Sequence, residues 1–100
     1  MEISHHLEQD DHHFRLSGNF TFSDHSGFRE VLNAISEAGA MRVTFNMAQL
    51  NFVDSAALGM LLLAREASEK HRKHLVLRGA KGQVKKMFDM ARFGAMFTME

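Results

Sequence analysis

Cysteine is absent from these 100 residues, so disulfides, thiolate zinc sites and cysteine nucleophiles are all excluded, and a reducing compartment is allowed. Proline is absent too, which suits helices and strands that follow one another through short connections. Neither sign of charge dominates. With 12 Lys and Arg against 12 Asp and Glu, the chain offers no long-range attraction to nucleic acid or an anionic membrane, and recognition must rest on local shape and local charge. No run approaches the roughly 20 apolar residues of a membrane span. The start, Met-Glu-Ile-Ser-His-His, lacks the basic and apolar regions of a signal peptide. The expectation is a single domain over residues 1–100, cytoplasmic, not inserted in membranes and not bound to nucleic acid.

What is present is periodicity. From His12 to Gly18 the chain alternates, with Phe14 and Leu16 on one side and His13, Arg15 and Ser17 on the other, as a half-buried strand requires. Ile3 and Leu7 mark a weaker first strand. A two-residue turn at Asp10-Asp11 would pair Leu7 with Phe14 on the core face and close a starting hairpin. Phe28, Val31, Leu32 and Ile35 fall at i, i+3, i+4 and i+7, the stripe of an amphipathic helix, with Ser23, Asp24 or Ser26 as N-cap and Gly39 as stop. Val43, Phe45 and Met47 alternate through a third strand.

A helix from Ser55 to about Lys70 follows, apolar almost all round in its first half and therefore deeply packed. Leu75 and Leu77 mark a fourth strand. Val84, Met87, Phe88 and Ala91 mark a third helix closed near Gly94, and residues 95–99 a short last strand. This order predicts an α/β fold: a mixed, largely parallel sheet of about five strands with an N-terminal hairpin, joined by right-handed crossovers. Alternation in the second and third strands places the helices, about three in number, mainly on one face and leaves the other wet.

In open parallel sheets, sites gather at the carboxyl ends of the strands. Here those ends are Asn19 to Ser23, the loop ending at Asp54-Ser55, and Gly79 to Gly82. Ser55 opens a helix, among unpaired backbone N–H groups and the positive end of the helix dipole, so a phosphate placed on it would be tolerated locally while changing the surface charge. Simple N-capping is the plainer use of an Asp-Ser pair at a helix start, and the two roles can coexist.

The segment Asn-Met-Ala-Gln-Leu-Asn-Phe-Val-Asp-Ser-Ala-Ala-Leu-Gly, ending at Gly59, resembles the signature of STAS domains, the anti-sigma factor antagonists. Two further segments agree: Val84 to Phe93 is similar to the family's third-helix segment, and Leu16-Ser17-Gly18 to the end of its second strand. The resemblance implies a STAS-like fold and a binding module without catalytic activity or cofactor. It also implies that Ser55 is phosphorylated by a partner serine kinase of the GHKL type that doubles as an anti-sigma factor, and dephosphorylated by a PP2C-type phosphatase. The unphosphorylated form would bind the kinase or anti-sigma factor. Roughly 1.5 to 2 added negative charges beside Asp54 would then oppose docking by repulsion and burial cost.

The expected docking surface gathers Asp54, Ser55, Ala56 and Gly59 with Asn19, Phe20, Thr21 and Phe22. The chain departs from the family pattern at Ala56 and Ala57, where a second hydroxyl and a glycine are usual, and at Gly18-Asn19-Phe20-Thr21, which lacks the usual acidic residue. Ala56 and Ala57 keep an alternative alive, a constitutive STAS subunit of a membrane lipid-transport complex in which Ser55 merely caps its helix.

Other features have plainer uses. The flanks of Ser55, Val53 and Ala57, lack the glycines of a hydrolase nucleophile elbow, and no expected loop brings a His with a supporting acid beside it. In the hairpin register above, His6 faces Arg15, His5 faces Leu16 and His12 faces Gln9, so no metal-ligand set converges. Phe20 and Phe22 suit either the core or an interface anchor. Lys81, Lys85 and Lys86 read as a solvated helix face, and Met87, Met90, Met96 and Met99 as packing filler.

Overall fold

A computed structural model describes residues 1–37 and 39–100. Five strands, β1 (Glu2–Glu8), β2 (Asp11–Phe20), β3 (Arg42–Val53), β4 (His74–Arg78) and β5 (Thr98–Met99), form one sheet in sequence order. β1 is antiparallel to β2 and every later pairing is parallel. The crossovers carry α1 (His25–Glu37), α2 (Ser55–Lys70) and α3 (Gly82–Met90). Inward residues of β3 (Val43, Phe45, Met47) share one core with Phe28, Val31 and Ile35 of α1, Ala57, Leu61 and Ala64 of α2, and Val84 and Phe88 of α3. The helices therefore lie on one face of the sheet, as sequential parallel strands with right-handed crossovers require. Each large side chain sealed in this core contributes about 1.5–3 kcal/mol of burial.

The other face is polar. Asp11 accepts from Thr44 Oγ1 at 3.0 Å and pairs with Arg42 at 3.2 Å. Glu100 joins Arg42 (2.8 Å) to Arg78 (2.7 Å), and Thr44 and Val76 are buried outside the main core.

Five details differ from the sequence reading. The hairpin turns at Gln9-Asp10, so Leu7 pairs with His12 and His5 with Phe14; a two-residue shift keeps each side chain on its face, which is why alternation could not reveal it. A 3-10 turn, Phe22–Asp24, precedes α1, and Asp24 accepts the Thr21 N–H at 2.9 Å. The first half of α2 is packed on one side only. Leu62 and Leu63 remain 38% and 46% exposed because no layer covers the outer side of the helices. Residue 92, not Gly94, stops the third helix: Arg92 takes the left-handed conformation at φ 58°. Met90 and Met99 are exposed rather than core filler.

Candidate functional site

β3 outruns its neighbour. β4 pairs with it only from Arg42↔His74 to Asn46↔Arg78, whereas β2 follows it to Phe20↔Val53. The end of β3 thus projects to a junction where three connections meet. From the β2–α1 side, the Asp54 N–H donates to the Phe20 carbonyl at 3.3 Å, and the Phe22 N–H donates to Asp54 Oδ2 at 3.1 Å. The other carboxylate oxygen, Oδ1, accepts the Ala57 N–H at 2.8 Å and caps α2. Asp54 is extended (φ −104°, ψ 179°), the usual conformation of an N-cap. One carboxylate therefore fixes both the start of α2 and the loop that carries Phe22.

From the β4–α3 side comes Gln83, which carried no motif in the sequence. Its Oε1 accepts the Val53 N–H at 3.0 Å and its Nε2 donates to the Val53 carbonyl at 2.9 Å. The loop reaches this position because Gly79, at φ 80°, lies against β3; a Cβ there would stand 3.2 Å from Ala48. The only sequence signal for Gln83 was its place just after the Gly79–Gly82 loop at the site end of the sheet.

Ser55 is the first residue of α2 and exposed; its hydroxyl bonds to no other described residue. Ala56 is half-buried beside it, and Gly59, one turn on, faces open space. Asn19, near the end of β2, is exposed, and Thr21, just beyond the strand, is half-buried. The two phenylalanines part company. Phe22 is 69% exposed, whereas Phe20 is wholly buried with its ring 5.1 Å from that of Phe28. Phe20 therefore has no side-chain surface to offer a partner and enters the site only through its carbonyl. Ala57 is likewise sealed in the core. Lys81, Lys85 and Lys86 are exposed, and Lys85 pairs with Asp89 at 3.0 Å on its own helix.

The hairpin histidines come closer together than the expected register allowed. His6 and His13 stack at 5.2 Å, and His5 Nδ1 lies 3.0 Å from His12 Nε2. Among the described residues no group of three or more His, Cys, Asp or Glu is arranged to hold a metal ion. His12 is 4% exposed, and its Nδ1 is buried without a hydrogen-bond partner among the described residues. Burial pushes its pKa below the usual imidazole value, helped by His5 and Lys73 and opposed by Asp11. No described helix is long and apolar enough to cross a membrane.

A sequentially ordered sheet with helices on one face and an Asp-Ser junction at the end of its third strand defines a STAS-type fold. Residues 4–98 match the family model described as "Mlab, STAS domain", and the chain belongs to the STAS-domain family. A STAS-domain containing protein of Pseudomonas aeruginosa strain UCBPP-PA14 is 26% identical over 85 residues, covering 85% of this chain and 83% of that one.

Among solved structures, an anti-sigma factor antagonist from Mycobacterium paratuberculosis superposes at a TM-score of 0.86, with 10% identity, over 98% of this chain and 83% of its own. The anti-sigma factor antagonist SpoIIAA in its unphosphorylated form gives 0.77, with 19% identity over 99% and 87%. The phosphorylated form, from Bacillus, gives 0.75 with 18% identity over 99% and 91%. A sulfate transporter family protein from Wolinella succinogenes gives 0.71, with 22% identity over 88% and 70%. At these identities the superpositions establish the fold.

Proposed function

We propose that this protein is an anti-sigma factor antagonist, a binding module without catalytic activity, switched by phosphorylation of Ser55. In this reading the unphosphorylated form docks a serine kinase or anti-sigma factor of the GHKL type through Asp54, Ser55, Ala56 and Gly59, with Asn19, Thr21 and Phe22 alongside. Any nucleotide comes with that partner. Phosphate on Ser55 adds roughly 1.5 to 2 negative charges beside the Asp54 carboxylate, in a surface that docking must desolvate, and so weakens binding. A PP2C-type phosphatase restores the binding form, and the cycle takes place in the cytoplasm.

The observation that carries this reading is an exposed, unengaged hydroxyl at the first residue of α2, on a junction held from both sides by Asp54 and Gln83. Ala56, which removes the second hydroxyl of the family pattern, favours the other reading, a constitutive STAS subunit of a membrane lipid-transport complex.

The test is intact-mass and site-mapped phosphorylation of the protein from its native cells, beside a Ser55→Ala control. Phosphate on Ser55 that disappears in the control is the expected result. Its reproducible absence across growth and stress conditions would shift the assignment to the constitutive subunit.

A further inference from the structure

We infer that Gln83 is a positioning residue for the phosphate acceptor: its side-chain amide completes the end of β3 and holds the Asp54-Ser55 junction in register from the α3 side. The inference rests on the reading of Ser55 as the acceptor and adds the group that holds it.

In a parallel sheet both backbone polar groups of one residue face the same neighbouring strand, and each needs a partner when water is excluded. Val53 is buried, Phe20 stands beside it on the β2 side, and β4 ends seven pairings short of it, at Asn46↔Arg78. On that vacant side Gln83 supplies both partners, an acceptor for the Val53 N–H at 3.0 Å and a donor to its carbonyl at 2.9 Å. The amide thus stands in for one residue of a missing strand. The next residue, Asp54, is tied the opposite way, to the Phe20 carbonyl and the Phe22 N–H. The two ties act on consecutive residues and from opposite sides, so releasing either lets the first turn of α2 swing about the other.

Gln83 lies at the second position of α3, in the turn that also carries Lys81, Lys85 and Lys86. The clamp therefore couples that exposed basic turn to the acceptor. A partner that grips α3 acts on the placing of Ser55 without touching it.

The experiment compares wild type with Gln83→Ala and Gln83→Met, the second keeping side-chain length without donor or acceptor, and with Gln83→Glu, which can still accept the Val53 N–H but cannot donate to the carbonyl. Two quantities are read on the whole chain. One is amide hydrogen exchange at Val53 against a central amide such as Phe45. The other is the initial rate of Ser55 phosphorylation in native-cell extract with ATP. In the Ala and Met variants, Val53 exchange is expected to rise and the rate to fall, each roughly tenfold, with Phe45 unchanged and Glu intermediate. Faster exchange at Val53 with an unchanged rate would overturn the positioning role and leave only a structural one. Absence of phosphate from wild-type Ser55 would instead sink the switch reading, and the role of Gln83 with it.

Discussion

The two ends of β3 treat polar groups in opposite ways. At its carboxyl end Asp54 divides its oxygens between two backbone N–H groups, and Gln83 answers both polar groups of Val53. At its amino end, where His12 pairs with Val43, a nearly buried imidazole is stacked on Phe14 at 4.3 Å. Its Nε2 is shared with His5, and its Nδ1 has no hydrogen-bond partner among the described residues. The first cluster is tied to backbone N–H and C=O groups and fixes geometry. In the second, burial and the neighbouring His5 imidazole disfavour a second proton on His12. The domain is thus held firmly at the Asp54-Ser55 junction, and the far end is where a response to acid is expected.

The sharpest way to break this contrast is to untie the carboxyl end. Asp54→Ala removes the α2 cap and the hold on Phe22 together, and should lower the free energy of unfolding by about 2 kcal/mol, read from urea transitions. Asp54→Asn keeps one acceptor oxygen and should lose less. Equal losses in the two variants would mean that the acceptor oxygen kept by asparagine contributes nothing.

Next in size is the acid response of the amino end. Because the folded pKa of His12 lies below its ordinary value, the unfolded chain binds more protons as pH falls. The contribution of His12 to stability is therefore complete above about pH 6.5, the ordinary imidazole value, and is lost as pH drops from there toward the folded pKa. The groups that set this are burial first, then His5 of β1 and Lys73 before β4, with Asp11 of β2 pulling the other way and His6 adding a little. Lys73 is itself desolvated, and its Nζ donates to the Ile35 carbonyl at the end of α1. The urea midpoint of the wild type should fall between pH 7.5 and 5.5, and that of His12→Phe should fall distinctly less. Parallel declines would show that the acid response resides elsewhere.

These ends were not equally legible in the sequence. The alternation of Val43, Phe45 and Met47 and the stripe of Phe28, Val31 and Ile35 identified strand, helix and core face, because burial on one side imposes a period. The Asp-Ser junction could be found because helix starts favour those residues and because the flanking segment resembles a family signature. The hairpin register could not be read. Pairing Leu7 with Phe14 or with His12 leaves every side chain on the same face, and the turn uses Gln9 at φ 55° rather than a glycine or asparagine. Leu62 and Leu63 looked like core because composition does not say whether a further layer exists. Gln83 was invisible because its contact joins residues thirty apart through a loop that only the fold brings across β3.

Gly59 offers a smaller test with two opposite signs. It lies inside α2, one turn beyond Ser55, and a Cβ there would meet nothing within 4 Å. Gly59→Ala should therefore stabilise the domain by about 0.5–1 kcal/mol, through the lower backbone entropy of the unfolded chain. If the partner docks across this turn, the added methyl should also slow Ser55 phosphorylation in native-cell extract. A gain in stability with no change in rate would place Gly59 outside the interface.

Phe22→Ala should have the smallest effect on the fold, because the ring is largely in solvent and the backbone N–H that Asp54 accepts is retained by alanine. The ring of His25 lies 6.1 Å away, so truncation opens no core cavity of the kind that makes buried phenylalanines costly. The urea midpoint should hardly move. An exposed aromatic beside the Asp54-Ser55 junction is nevertheless the type of side chain that dominates interface energetics, and if Ser55 is the acceptor the extract phosphorylation rate should fall clearly. A normal midpoint with a reduced rate would assign Phe22 to the docking surface. A lowered midpoint would mean instead that the ring supports the loop, and the tied end of the sheet would then depend on more than the backbone contacts of Asp54 and Gln83.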